Sequence, residues 1–322
     1  MDKNISNIIF AFVILIEFFL LLYFEKFLIR YLKKRNAVQH VRDEMGDIHK
    51  IKEGTPRGGG IVFLLAPIFF LPFNHSKVAF FVTSSVLLFG IIGLIDDVLT
   101  FKKHSSDGLS VKSKLILHFL ASLTLFVIFK DIFSFNVKFL SFDLKLGWFI
   151  YFILFLMMFI GSANAFNLTD GVDGLLGSVT FAILLLLSLI ANTLGNTSYV
   201  YLILVFIVSI LAFLWFNSPK ASIFMGDVGS GALGALVASL SVILKIELYL
   251  PIFAVIPVIE ALSIFIQITY FKRTHGKRVF KMTPIHHHFE LSGLSEAQID
   301  FRFSIITLVA SLVVFFLKVY FG

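Results

Sequence analysis

Five aspartates stand at the ends of apolar runs: Asp96 and Asp97 in "GLIDDV", Asp170 and Asp173 in "NLTDGVDG", and Asp227 in "FMGDVGS". Each alone fits a helix cap or a solvated helix end. Together, at a low-dielectric boundary, such charges are costly unless a cation neutralises them. A hard divalent ion suits this set, because Mg2+ takes one or two carboxylates and fills its shell with phosphate oxygens and water. Asn167, Asp170 and Asp173 recur every third residue, so a helical segment would turn them to nearly one face. Gly171 and Gly174 argue for a tight turn there and for close approach of backbone to a ligand.

Two further stretches carry polar groups. In "HKIKEGTPRGGG", residues 49–60, Lys52 and Arg57 flank glycines that either present amides to a phosphate or let helices pack closely. In "MTPIHHHFE", residues 282–290, three adjacent imidazoles cannot all point one way on a helix, so at most two reach a common site and a three-His zinc centre is not expected. The chain has no Cys, which excludes disulfides and thiolate metal sites.

The elements that must position these groups are membrane helices. Of 322 residues, 58% are hydrophobic and 41 are Phe, with a mean hydropathy of +0.95, beyond the range of a soluble domain. Apolar runs of spanning length predict an all-α polytopic membrane protein of about ten transmembrane helices, forming a single domain over 1–322. Their centres fall near Ile14, Leu65, Leu87, Ala121, Leu154, Leu184, Val205, Val237, Ala261 and Leu312. The second run is short and carries Pro67 and Pro72. In the ninth, Pro251 and Pro257 predict a kink or break. Glu17 and Glu260 are the acidic residues read as lying well inside spans, and an intramembrane carboxylate is a functional candidate by default. Glu17 receives no role, and His118, one turn past Lys114, is read as a helix-end residue.

Of the 27 Lys and Arg, Lys3, Lys77, Lys130, Lys138, Lys145, Lys245 and Lys318 fall on one side of this threading and the other twenty on the opposite side. Positive loops stay cytoplasmic, so both termini are expected outside and the polar motifs inside, in loops 25–59, 96–113, 164–173, 217–227 and 272–300. The basic excess is read as setting topology and meeting anionic headgroups, with no nucleic-acid partner.

The motifs at residues 49–60, 93–98, 167–174, 224–230 and 282–290 resemble those of the phospho-N-acetylmuramoyl-pentapeptide transferase family, in the superfamily of polyprenyl-phosphate N-acetylhexosamine-1-phosphate transferases. "HHHFE" is the most specific of them for this branch. The resemblance implies a Mg2+-dependent enzyme of the bacterial inner membrane that moves phospho-N-acetylmuramoyl-pentapeptide from UDP-N-acetylmuramoyl-pentapeptide to undecaprenyl phosphate, giving lipid I and UMP. It further implies catalytic roles for Asp96, Asp97, Asn167, Asp170, His286, His287 and His288, and substrate binding by Lys52, Lys114, Asp173, Asn217, Phe224 and Gln267. Asp227 matches the family's magnesium ligand, Glu260 a ninth-helix position, and a homodimer is suggested. Where the family usually reads "TPTMGG", this chain has Arg57 and Gly58. The alternatives are a related N-acetylglucosamine-1-phosphate transferase and, from another class, a secondary transporter. The latter is disfavoured because the polar motifs keep to one face and no repeat relates the halves.

Overall fold

The computed structural model describes residues 3–35, 54–103 and 108–321. Among them, nine helices are long and apolar enough to cross a membrane: α1 (Lys3–Lys34), α4 (Lys77–Lys103), α5 (Val111–Phe129), α6 (Trp148–Thr169), α7 (Leu175–Thr193), α8 (Thr197–Asn217), α9 (Gly226–Ile243), α11 (Val255–Arg273) and α13 (Glu296–Phe321). The chain is a multi-pass membrane protein. The second of the ten expected spans is instead a broken segment, α2 (Ile61–Leu65) and α3 (Pro67–Phe70) followed by a 3-10 turn, Leu71–Phe73. Pro67 and Pro72 lack the amide a continuous helix needs. The expected break in the ninth span occurs at Ala254, between α10 (Leu250–Phe253) and α11. A short helix, α12 (Ile285–Glu290), precedes α13.

The bundle is organised around α9. Its sequence, GDVGSGALGALVASLSVI, is built of small residues, and every position from Gly226 to Val242 is buried. Small side chains let helix backbones approach closely, the main source of helix association in lipid. A Cβ added at Gly234 would lie 2.8 Å from the Ala163 Cα of α6, and one at Gly93 of α4 would lie 2.0 Å from the Asp227 carbonyl oxygen. Phenylalanines lock the neighbouring helices together: Phe81 of α4, Phe126 of α5 and Phe155 and Phe159 of α6 pack with ring centroids from 4.4 to 6.3 Å apart. Such pairs contribute about 0.5–1.5 kcal/mol each beyond their burial, and they fix the three helices that carry Asp96, Lys114 and Asn167. By contrast, α1 and α13 expose Phe12, Leu15, Phe19, Leu312 and Phe316, as lipid-facing helices do.

The connection between α5 and α6 holds an unexpected hairpin of β1 (Asn136–Phe139) and β2 (Phe142–Lys145), pairing Val137 with Leu144. Its Val137 is buried, and the Leu140 amide donates to the Tyr249 hydroxyl at 2.7 Å.

Candidate active site

The site is built where the C-terminal part of α4 meets the start of α9. Gly93 allows the contact, and Asp97, one turn further along α4, takes the first free amides of α9. The Asp227 amide donates to Asp97 Oδ1 at 3.1 Å and the Val228 amide to Oδ2 at 2.9 Å. A carboxylate at a helix N-terminus is favoured by the helix dipole, and this one clamps two helices. Gly226 has φ +78°, and a Cβ there would lie 2.6 Å from Asp97 Oδ2. Asp97 thereby sets the position of Asp227.

Two cations enter from other elements. Arg57 is held by its backbone: the Phe224 amide donates to the Pro56 carbonyl at 2.8 Å, while the Gly58 and Gly59 amides donate to the Phe224 carbonyl at 3.0 and 2.9 Å. Its guanidinium lies 2.8 Å from Asp97 Oδ1 through Nε and contacts Asp227 Oδ1 through Nη2. Burial opposes the Arg57 charge, but the fields of Asp97, Asp227, Asp170 and Asp96 hold its pKa above the ordinary guanidinium value. Lys114 of α5 reaches Asp96 Oδ2 at 2.8 Å and also contacts Asp227 Oδ2. Asp227 is thus shared between two cations, and the Leu109 amide donates to Asp96 Oδ1. Beside this network lies a cavity of about 10 Å³ bordered by Lys114, His118, Asn167, Asp227 and Ser230, room for about one water. His118 is buried and stacks on Phe89 at 5.0 Å, so it is an internal residue of this wall rather than an exposed helix end.

The "NLTDGVDG" stretch does not continue as a helix. Helix α6 ends at Thr169, Asp170 caps it, and Gly174 turns the chain into α7 with φ +81°. Asn167, Asp170 and Asp173 therefore do not share a helical face; the glycines win over the three-residue spacing. Asn167 Nδ2 donates to Ser230 Oγ at 3.0 Å. Asp173 Oδ2 accepts from the Ala221 amide at 3.0 Å, and the Asp173 amide donates to Glu296 Oε2 at 3.1 Å. Asn217 joins the same loops, accepting from the Gly174 amide at 3.1 Å and donating to the Ile223 carbonyl at 2.9 Å.

The three histidines of α12 diverge as expected. His286 Nδ1 lies 3.1 Å from Glu260 Oε1, and its Nε2 faces Gly171, where an added Cβ would lie 2.2 Å away. His287 Nδ1 pairs with Glu290 Oε2 at 2.6 Å, and His288 Nδ1 accepts from the Lys281 amide at 3.1 Å. Gln267 Oε1 accepts from the Val279 and Phe280 amides at 3.1 and 3.0 Å, tying their loop to α11. Lys52 lies outside the described residues.

A sequence profile described as glycosyl transferase family 4 matches residues 78–245, the segment from α4 to the end of α9. Three relatives are called phospho-N-acetylmuramoyl-pentapeptide-transferase. That of Kosmotoga olearia is 42% identical, covering 88% of this chain and 90% of its own. That of Dictyoglomus turgidum is 42% identical over 94% and 96%, and that of Thermotoga maritima 40% identical over 92% and 96%. The chain belongs to the phospho-N-acetylmuramoyl-pentapeptide-transferase family.

For this family the cofactor question turns on the donor set. Among the described residues, no three His, Cys, Asp or Glu side chains form a ready metal cage. The cluster instead offers Asp227, with Asp96 beside it, already drawing positive charge from Arg57 and Lys114. Hard oxygen donors in that number fit an ion such as Mg2+ that shares its shell with substrate phosphates. Asp97 is the poorer candidate, since both its oxygens accept helix amides. Ser230 and Glu296 were not foreseen; nothing in their local sequence marks them. Glu25, expected in a loop, is fully buried within α1, which extends further than the apolar pattern. Glu17, also buried, accepts from Ser209 Oγ at 3.0 Å.

Proposed function

We propose that the chain transfers phospho-N-acetylmuramoyl-pentapeptide from its UDP carrier to undecaprenyl phosphate, giving lipid I and UMP. One observation carries this reading: Asp96, Asp97 and Asp227, with Arg57 and Lys114, form a single charged network at one end of a membrane bundle. Relatives bearing that enzyme's name, at about 40% identity over most of the chain, support it. In this reading the network faces the cytoplasm of a bacterial inner membrane, in keeping with the twenty basic residues assigned to that side. The chain acts as one domain over 1–322, with a second copy as its expected partner.

Phosphoryl transfer needs alignment and charge neutralisation more than covalent help. Mg2+ held by Asp227, with Asp96 beside it, would neutralise the diphosphate when bound. Asp97 keeps Asp227 in register by holding the first amides of α9. Arg57 and Lys114 turn toward the diphosphate as charge builds on the leaving group. The acceptor phosphate is already largely dianionic near neutrality, its second pKa being about 6. An acceptor oxygen attacks the sugar-bearing phosphorus, the bond to the bridging oxygen breaks, and UMP departs with the electron pair. Asp96 or Asp97 takes any residual proton. Asn167, Asp170 and the segment of His286, His287 and His288 belong to the phosphate side, the three imidazoles facing different partners. Phe224 stacks on uracil, with Lys52, Asp173, Asn217 and Gln267 shaping the nucleotide side.

The test is to offer UDP-N-acetylmuramoyl-pentapeptide and UDP-N-acetylglucosamine separately to purified protein with undecaprenyl phosphate and Mg2+. UMP released only from the larger donor is the expected result. Product only from the smaller donor would reassign the sugar, and no UMP from detergent-solubilised protein would favour a transporter. Exchange of labelled UMP into the UDP-sugar without acceptor would replace direct attack by an aspartyl intermediate.

A further inference from the structure

At the end of the bundle remote from Asp227 lies a cavity of about 530 Å³, between the ends of α7, α9 and α13. Three lysines from three distant elements line it: Lys138 of β1, Lys245 just past α9 and Lys318 near the end of α13. Among the described residues, no carboxylate lines it. The acidic group beside them, Glu247, is 2% exposed and accepts a hydrogen bond from the Tyr151 hydroxyl at 3.0 Å. Like charges gathered around one space raise each other's energy unless an anion joins them.

Lys245 also occupies a position that its backbone disfavours. The Ile246 amide donates to the Ser241 carbonyl at 3.0 Å and the Lys245 amide to the Val242 carbonyl at 3.2 Å, the two bonds of a Schellman helix ending. That ending calls for glycine at the left-handed residue, and Lys245 stands there with φ +54°. A lysine kept at this conformational cost points to use of its side chain. Apart from Thr193, whose hydroxyl donates to the Ile190 carbonyl at 2.8 Å, the cavity's other lining residues are apolar, and Leu194 and Val319 continue onto the exposed, lipid-facing surface at 54% and 46% exposure. A free inorganic anion has no use for such walls, whereas an acyl chain does.

We propose that this cavity binds the phosphodiester headgroup of an anionic membrane lipid between Lys138, Lys245 and Lys318, with an acyl chain along the Leu194 and Val319 wall. The site is independent of the transferase reading, since it shares no residue with the charged network.

Native mass spectrometry of the full-length protein in detergent, titrated with phosphatidylglycerol or phosphatidylcholine, tests it. Wild type should retain one phosphatidylglycerol more tightly than phosphatidylcholine. The Lys138→Gln/Lys245→Gln/Lys318→Gln variant should bind that lipid about a hundredfold more weakly, about fivefold per lysine. A control, Lys77→Gln/Lys130→Gln/Lys145→Gln, removes the same charge elsewhere on that face and should bind as wild type does. Lys245→Gly should raise the unfolding temperature in lipid-free detergent yet weaken phosphatidylglycerol about fivefold, which keeps the test decisive should the triple variant fold poorly. Equal loss in the control, no loss in Lys245→Gly, equal binding of phosphatidylcholine, or displacement by millimolar inorganic phosphate would each overturn the proposal.

Discussion

Asp227 opens α9 and Glu247 lies just beyond its other end, about 27 Å away by helix rise; both are buried, at 7% and 2% exposure. Around Asp227 the fold assembles a guanidinium, an ammonium and a second carboxylate that fixes the helix end. Around Glu247 it assembles a tyrosine hydroxyl, and among the described residues Glu247 Oε2 has no hydrogen-bond partner. Burial pushes the Glu247 pKa up to about 7, offset only in part by its own amide, Tyr151, Lys318 and Lys245. Burial is common to both ends, so it cannot be what sets the proposed reaction site apart. What differs is direct pairing: Arg57 and Lys114 contact the Asp227 carboxylate, whereas Lys245 and Lys318 stand near Glu247 without an ion pair among the described residues, and cations held at a carboxylate are what a diphosphate can draw on.

Breaking the charged end should have the largest effect. Asp227→Asn keeps the shape but removes the carboxylate shared by Arg57 and Lys114, and an amide oxygen binds Mg2+ more weakly. UMP release should fall by about a thousandfold or more, with the unfolding temperature little changed. Normal turnover would remove Asp227 from the metal site.

Gly93→Ala tests the approach that brings the carboxylates together. Its Cβ would meet the Asp227 carbonyl oxygen at 2.0 Å, so α4 and α9 must separate. A displacement of about 1 Å at a reacting centre costs about a hundredfold in rate, and overpacking destabilises by about 1–3 kcal/mol. UMP release and the unfolding temperature should fall together; a loss in neither would mean that the helices tolerate separation.

These two positions mark what the sequence could reveal. The apolar runs made nine spans legible, because in lipid only helices satisfy their own backbone, and Pro67, Pro72, Pro251 and Pro257 marked the breaks. The aspartates were legible by type. Their division of labour was not, since Asp97 becomes a helix clamp through amides 130 and 131 residues away in sequence. The role of Gly93 was hidden for the same reason, a long-range contact leaving no local mark. The hairpin had a signal, alternation in "NVKF" and "FDLK", which the surrounding apolar runs obscured. Arg57 was visible as a departure from the family pattern, but only its pinning to Phe224 reveals why it meets the aspartates.

Arg57→Thr restores the family's usual residue and sharpens the electrostatic side of the comparison. Removing one cation should raise KM for the UDP-sugar about tenfold, because charge-assisted contacts to phosphate contribute about 1.5 kcal/mol each. It should also lower the Mg2+ concentration needed for half-maximal rate, since a competing positive charge is gone. Both constants come from initial rates of UMP release at varied donor and Mg2+. If neither moves, Arg57 serves only the fold.

The smallest effect on turnover is expected at the other end, where Glu247→Gln should change stability alone. With a folded pKa of about 7 against an ordinary 4.5, the folded chain holds the Glu247 proton more tightly than the unfolded chain does. The resulting stability is complete below about pH 4.5, is lost as pH rises through about 7, and amounts to about 3 kcal/mol. Glutamine stays neutral throughout and still accepts the Tyr151 hydroxyl. The wild-type unfolding temperature should therefore drop by several degrees more than that of the variant between about pH 5 and about pH 8, while their UMP release at each pH stays equal. Parallel unfolding curves would mean that Glu247 is ionised in the fold and that its Lys245 and Lys318 neighbours neutralise it. The two ends of α9 would then handle their carboxylates alike, and the contrast between them would have to rest on something other than the direct pairing of cations with Asp227.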